Sequence, residues 1–303
     1  MKINLFYTFI YRKFVKETKG FWKKFYFIVK DILVKDRDVF VSTSINGFEC
    51  ICPYNCLMPL FMNEHPLYDK QLGRICQFLK EKYNKDSLNF LDVGANIGDT
   101  VLNIGDNKNK YLLVEGVENY YSLIDKNLKD FDYFLERTFV GEKSESTFSK
   151  KLDLDHGTGK IIFGSTSVPL SVSTIDTIVE KHSFIPDVLK IDTDGYDFAV
   201  LRGGVGVLAK NKPLCFFEWS LDELIENGED PTSIFDLLNK NGYEELILFD
   251  NYGNLFSICQ TSNIDYLKNV IEYTRNKIIF YYDVCAINRN ACFCAQELWD
   301  YLK

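Results

Sequence analysis

The segment Leu91-Asp-Val-Gly-Ala-Asn-Ile-Gly-Asp-Thr100 sets Gly94 and Gly98 between the acids Asp92 and Asp99. An apolar run precedes it and a helical pattern follows. Glycines in such a strand–turn–helix junction let the backbone approach a ligand with no Cβ in the way. A dinucleotide site wants G-x-G-x-x-G and a helix N-terminus free to meet a pyrophosphate. Here the spacing is G-x-x-x-G, and Asp92 and Asp99 would repel two phosphates. The same acids suit a ligand that carries an ammonium and a sulfonium, as S-adenosylmethionine does. Glu115 lies 23 residues after Asp92 at the end of the next apolar run. A carboxylate there accepts hydrogen bonds from both hydroxyls of a ribose. Alone it is equally consistent with NAD; with the G-x-x-x-G turn it favours the methyl donor.

A third segment, Lys190-Ile-Asp-Thr-Asp-Gly-Tyr-Asp197, ends another strand in carboxylates. Lys190 and Asp192 alternate with Ile191 and so share a face. Asp192 and Asp194 are placed to take a proton from an attacking hydroxyl or to hold a divalent ion that acidifies it. Glu218, at the end of the following strand, is placed to join them. Oxygen ligands of this kind suit Mg²⁺ or Ca²⁺, so a divalent metal such as Mg²⁺ is an open expectation. The competing reading is a structural network in which Lys190 neutralises an acid. The three histidines, His65, His156 and His182, are weaker candidates for a base.

These segments need a scaffold that brings strand ends together. From residue 88 strands and helices alternate, which argues for a parallel sheet covered by helices on both faces. The expected strands are Asn89–Val93, Lys110–Glu115, Tyr133–Val140, Asp187–Asp192 and Leu214–Glu218. A hairpin is expected around Asn251-Tyr-Gly-Asn254, and a last strand over Ile278–Ile287. One continuous helix is expected over Phe198–Ala209. The turn after Val93 then lies at the topological switch point of a doubly wound sheet.

The chain has 303 residues and a net charge of −8, so the molecule as a whole has no electrostatic reason to seek nucleic acid. The absence of an N-P-P-Y-type motif after Ile191 argues the same way. Charge is unevenly spread. Residues 1–30 carry eight lysines and arginines against Glu17 alone, leaving about −15 on the rest. Residues 1–38 read as helical. From Phe21 to Leu33 the residues Phe21, Trp22, Phe25, Ile28, Val29, Ile32 and Leu33 fall on one face, opposite Lys23, Lys24, Lys30 and Asp31. Packing on the main domain and peripheral contact with an anionic membrane through residues 1–35 both fit this pattern. The division expected is an N-terminal extension over residues 1–60 and a catalytic domain over 61–303. No run reaches the length of a spanning helix. The nine cysteines show no C-x-x-C pairing and read as reduced, packed thiols. The location expected is the cytoplasm, including the inner face of its membrane.

The motifs resemble the FkbM family of class I methyltransferases. The resemblance is carried by Asp92–Asp99, by Glu115 followed by Asn119 and Leu123, and by Ser173-Thr-Ile-Asp176. Leu189–Asp197 running on to Val200-Leu-Arg-Gly-Gly204 extends it, as do Pro213–Glu218 and Tyr281-Tyr-Asp283. It implies a Rossmann-like, mostly parallel sheet of seven strands, the last antiparallel, and transfer of a methyl group from S-adenosylmethionine to a hydroxyl of a sugar or polyketide-like acceptor. The implied cofactor-binding residues are Asp92, Gly94, Ala95, Asn96, Gly98, Asp99, Thr100, Glu115, Gly116 and Asn119. The candidate catalytic residues are Asp192, Asp194, Lys190 and Glu218. Two departures stand out: Glu115-Gly116 where the family often has Glu-Pro, and Asp194 where it usually has Glu. The rival functions are an NAD-dependent oxidoreductase and a silent scaffold in a glycan-assembly complex.

Overall fold

The computed structural model describes residues 3–17, 20–34, 39–147, 150–155, 158–163 and 170–303. Two helices, α1 (Leu5–Lys16) and α2 (Phe21–Val29), lead into a hairpin of β1 (Phe40–Ile45) and β2 (Phe48–Pro53). Asn46 and Gly47, both at positive φ, close that hairpin. Next come α3 (Met58–Glu64) and α4 (Lys70–Tyr83). The first half of the main domain runs β3 (Asn89–Val93), α5 (Asp99–Ile104), β4 (Lys110–Glu115), α6 (Glu118–Asn127) and β5 (Asp132–Arg137). Short strands follow: β6 (Phe139–Val140), β7 (Glu145–Thr147), β8 (Lys150–Asp155), β9 (Thr158–Phe163) and β10 (Leu170–Ser173). The second half runs α7 (Ile175–His182), β11 (Val188–Ile191), α8 (Asp197–Arg202), α9 (Val205–Lys210), β12 (Leu214–Trp219), α10 (Leu221–Glu226) and α11 (Ser233–Lys240). It closes with β13 (Tyr243–Asp250), β14 (Leu255–Gln260), α12 (Ile264–Tyr273), β15 (Tyr282–Asn288) and α13 (Ala295–Leu302).

The main sheet has the order β14-β13-β15-β12-β11-β3-β4-β5. From β12 to β5 all neighbours are parallel, and β15 runs antiparallel to both β12 and β13. This is the doubly wound, class I methyltransferase arrangement, with its last strand antiparallel. It has eight strands rather than the expected seven. The second arm of the hairpin, β14, pairs with β13 along its length and adds an edge strand. The sequential order of the strands reverses between β3 and β11, which run parallel, so a crevice opens at their carboxyl ends.

Alternation along the strands feeds two apolar layers. Phe90, Tyr111 and Leu113 face one, and Leu91, Val93, Leu112 and Val114 the other. The first layer also holds Ile10, Tyr11, Phe14 and Tyr26, so the N-terminal helices share the core of the main domain. The Phe14 and Tyr26 rings stack at 3.7 Å, and the Tyr26 hydroxyl donates to the Tyr54 carbonyl at 2.6 Å. All nine cysteines are free thiols, and seven are buried as small hydrophobes.

Two further expectations change. The third strand stops at Arg137, because Phe139 and Val140 turn away to pair with β10. The helix expected over 198–209 breaks at Gly203-Gly204. A Cβ on Gly203 would lie 2.2 Å from the Gly141 carbonyl oxygen, so the backbone passes there only as glycine.

Candidate active site

The turn after β3 is held by backbone geometry that only glycine supplies. Gly94 has φ +86°, and a Cβ added there would sit 1.8 Å from the Asp192 carbonyl oxygen. The N–H groups of Gly94 and Ala95 donate to the Val114 carbonyl at 3.0 and 3.1 Å, pinning the turn against β4. Gly98, at φ +82°, starts α5 against the Leu128 side chain. Glu115 is buried with both oxygens engaged. The Asn96 N–H donates to one at 2.8 Å and the Val117 N–H to the other at 2.7 Å. Burial pushes its carboxyl up to about 7 against the pull of those two N–H groups. Gly116 accounts for the departure from Glu-Pro: an added Cβ would lie 2.3 Å from the Phe139 ring.

These residues line a cleft with Val93, Asp99, Val114, Tyr120, Thr138, Phe139, Val140 and Tyr196. Lys190, Asp192, Thr193 and Asp194 close its inner end. Asn127 ties the turn to the N-terminal hairpin. Its amide donates to the carbonyls of Ile97 and Ile51, at 2.9 and 3.0 Å, while its oxygen accepts from the Ile51 N–H at 2.7 Å.

Beyond Lys190 lies a second, smaller pocket. It is lined by Asp69, Leu72, Asp99, Thr100, Lys190, Ile191, Asp192, Phe216, Glu218 and Asp283. Asp99, Lys190 and Asp192 belong to both. Lys190 is buried and sits 3.3 Å from Asp92 and 3.2 Å from Asp192. Burial works against its charge, but Asp192, Asp92, Asp99 and Asp69 outweigh that and hold its pKa well above the ordinary lysine value. The acids respond in the opposite sense. Burial pushes Asp99 up to about 7 and Asp69 to about 6, with Lys190 opposing in both cases. Asp69 is open to solvent yet stands in a concavity walled by protein, which is why it still feels desolvation. Glu218 and Asp283 face one another in the β12–β15 register, and burial raises both well above the usual carboxylate range. Tyr68 and Tyr281 lie near one another and near Asp283.

The structure gathers most of the expected residues. Gly94, Asn96, Asp99, Glu115 and Gly116 line the cleft; Lys190, Asp192 and Glu218 line the inner pocket. Asp92 lies beneath, fully buried and paired with Lys190, while Thr100 lines the inner pocket. Ala95 and Gly98 shape the turn from within. Asp194, at φ +50°, faces the cleft rather than the inner pocket. Asn119 stands exposed on the first turn of α6, outside the lining. His182 bonds Glu136 at 2.8 Å, and His65 stacks on Tyr252; His156 lies outside the described residues. Among the described residues no group of three His, Cys, Asp or Glu is arranged to hold a metal. The acids instead share Lys190 as their cation.

The model of the methyltransferase FkbM domain matches residues 92–245. The chain belongs to the FkbM methyltransferase family. A search among curated proteins found no match. Among solved structures, a methyltransferase FkbM from Methylobacillus flagellatus KT aligns with 17% identity and a TM-score of 0.36, over 52% of this chain and 37% of that one. The chain thus spans well under half the length of that relative. A TehB-like SAM-dependent methyltransferase from Corynebacterium glutamicum ATCC 13032 Kitasato aligns with 9% identity and a TM-score of 0.38, over 74% and 89% of the two chains. The plantazolicin methyltransferase BpumL in complex with SAH aligns with 11% identity and a TM-score of 0.37, over 76% and 88%. Family membership stands on the domain match.

Several residues of this FkbM-family site were missed in the sequence. Asp283 was quoted only as part of a late strand; its antiparallel register with Glu218 is the signal that brings it in. Tyr281 was quoted in the same late strand, whereas Asp69, at φ +56° just before α4, and Tyr68 leave no signal.

Two expected outcomes follow from the geometry. Gly94→Ala forces a Cβ into the Asp192 carbonyl at a positive φ, so it should destabilise the protein by at least about 2 kcal/mol and collapse the cleft. Urea unfolding with a parallel titration of S-adenosylhomocysteine measures both, and wild-type values in both would refute this role for the turn. Secondly, Asp99, Glu115 and Asp197 rise to about 7 and Asp69 to about 6, from ordinary values of 3.8 to 4.5. The folded state therefore holds protons that the unfolded chain gives up. Their contribution to stability is complete below about pH 4 and is lost as pH rises through about 6–7. The melting temperature of the unliganded protein should fall between about pH 5 and about pH 8. A flat or rising calorimetric profile over that range would contradict the buried acids.

Proposed function

We propose that this chain transfers a methyl group from S-adenosylmethionine to a hydroxyl of an uncharged sugar or glycan, in polysaccharide or glycolipid synthesis. The observation that carries this reading is the meeting of the two pockets at Asp99, Lys190 and Asp192. One is a glycine-cradled cleft with a ribose-type acid. The other is ringed by carboxyl groups. The methyl donor fits the first by donor set: Glu115 for the ribose, Phe139, Tyr120 and Val140 for the apolar base, Asp92 and Asp99 for the cationic end. When bound, the donor supplies an already activated methyl on a sulfonium.

The chain's own groups then have to position and deprotonate the acceptor. Glu218 and Asp283 hold protons to well above the usual carboxylate range, so each can donate a hydrogen bond to an acceptor oxygen. Tyr68 and Tyr281 add phenolic partners and apolar ring faces. Asp192, half open to solvent and shared by both pockets, is placed to take the hydroxyl proton. Lys190 holds the acids in place. Asp194 belongs with the cleft. A phosphorylated acceptor, and a nucleic acid likewise, would bring its anion against this ring of acids, with Lys190, the only cation lining the two pockets among the described residues, already paired.

Transfer of label from methyl-labelled donor to a panel of neutral glycans, set against their phosphorylated counterparts, tests this reading. Label is expected on the neutral members. Label only on phosphorylated or nucleic-acid acceptors, or cofactor binding seen with NADH and not with S-adenosylhomocysteine, would end it.

A further inference from the structure

We infer that the N-terminal helices form a docking face for a bilayer surface bearing anionic lipid headgroups. The helices do pack on the main domain, but not by the face the sequence favours. Of the apolar stripe on α2, only Val29 is buried; the residue that drives deepest is Tyr26. Phe21 is 66% exposed, Ile28 55% and Ile32, in the π-type turn after α2, 72%. On α1 Leu5, Phe6 and Phe9 are 82%, 60% and 53% exposed, while Ile10, Tyr11 and Phe14 face the core. The two outward faces form one surface: Phe9 meets Trp22 edge-on at 5.6 Å, and Phe21 stacks on Phe25 at 5.6 Å. Contiguous exposed aromatic and aliphatic side chains of this kind mark an interaction site rather than ordinary surface.

The charges around the patch decide its partner. Lys13 lies 5.7 Å over the Phe9 ring, so its ammonium sits at the rim of the apolar face. Lys16 and Lys24 are exposed beside it. By the 3.6-residue repeat Arg12 and Lys16 follow Phe9 on the same side of α1, where they line a cleft with Asn46, Asn63 and Lys70. Exposed apolar side chains rimmed by cations match the headgroup and acyl boundary of an anionic leaflet. Among the described residues no helix is long and apolar enough to cross a membrane, so the face would lie on the surface. Two hydrogen bonds connect the cleft beside this face to the inner pocket. Asn46 donates to the Asn103 carbonyl at 3.1 Å, and the Asn103 amide donates to the Asp69 carbonyl at 2.8 Å. A docked protein would thus hold that pocket at a fixed relation to the lipid.

The full chain should sediment with phosphatidylcholine vesicles that contain phosphatidylglycerol, and salt should release it. Vesicles of phosphatidylcholine alone should hold far less. Replacing Phe21, Ile28 and Ile32 together with serine should abolish binding. Because these changes could disturb folding, a second variant alters only exposed charges: Lys13→Gln, Lys16→Gln and Lys24→Gln together should weaken binding roughly 100-fold, about fivefold for each lysine. Its melting temperature should match the parent. Equal sedimentation with both vesicle types, no sedimentation with either, or self-association through this face in light scattering would overturn the proposal.

Discussion

Asp192→Asn is expected to slow methyl transfer by about 10²–10⁴-fold while leaving donor affinity nearly unchanged, the usual weight of a general base. The isostere keeps the side chain's shape and removes its ability to take a proton. Stability should hardly move. The Asp192 side chain is about half exposed, and Lys190 keeps Asp92 at 3.3 Å together with Asp99 and Asp69 nearby. Rates under saturating donor, set beside S-adenosylhomocysteine affinity and a urea melt, separate the three quantities. Full turnover in the variant would move the base to Asp69, the other acid of the inner pocket that faces solvent.

Lys190→Met should act differently, through the fold. The methionine fills much of the lysine stem's volume but leaves Asp92, which is fully buried, without its cation. Breaking one side of a buried pair costs about 3–5 kcal/mol, because the remaining charge is neither hydrated nor compensated. The deficit has a predictable pH dependence. Without Lys190 the acids around it hold their protons still more tightly in the folded state, so the penalty relative to the parent is largest above about pH 8 and shrinks towards about pH 5. Adding Asp92→Asn to the variant should restore a good part of the loss, since the uncompensated charge goes with it. Unfolding free energies of the four proteins at two pH values measure this. Independent, additive effects of the two substitutions would remove the ion cage from the account.

The two substitutions also divide the Lys190–Asp197 motif by role. Lys190 and Asp192 share a face, and alternation alone groups them as catalytic partners. The structure separates them: the lysine is buried and saturated by acids, and Asp192 reaches the junction of both pockets. Asp194 differs again. The left-handed turn at Asp194-Gly195 swings it into the cofactor cleft, and strand periodicity does not extend through such a turn. A Cβ on Gly195 would lie 2.7 Å from the Glu223 side chain, so α10 holds the turn in place.

The sequence by itself determined the parts that are local. The strand–turn–helix around Gly94, the acid ending β4 and the apolar runs of the parallel sheet are each written within a few consecutive residues, where backbone geometry and periodicity act. Only the tertiary structure decided what depends on distant segments meeting. Asp69 and Asp283 stand more than two hundred residues apart in the chain, yet line one pocket because α4 and β15 both begin beside it. The outward face of α2 was equally hidden. Its apolar stripe is wide enough to pack either way, and the aromatic slot that took Tyr26 is built by Phe14 and Tyr54 from other elements. Periodicity says that a helix has an apolar side; the shape of what it meets chooses how much of that side is covered.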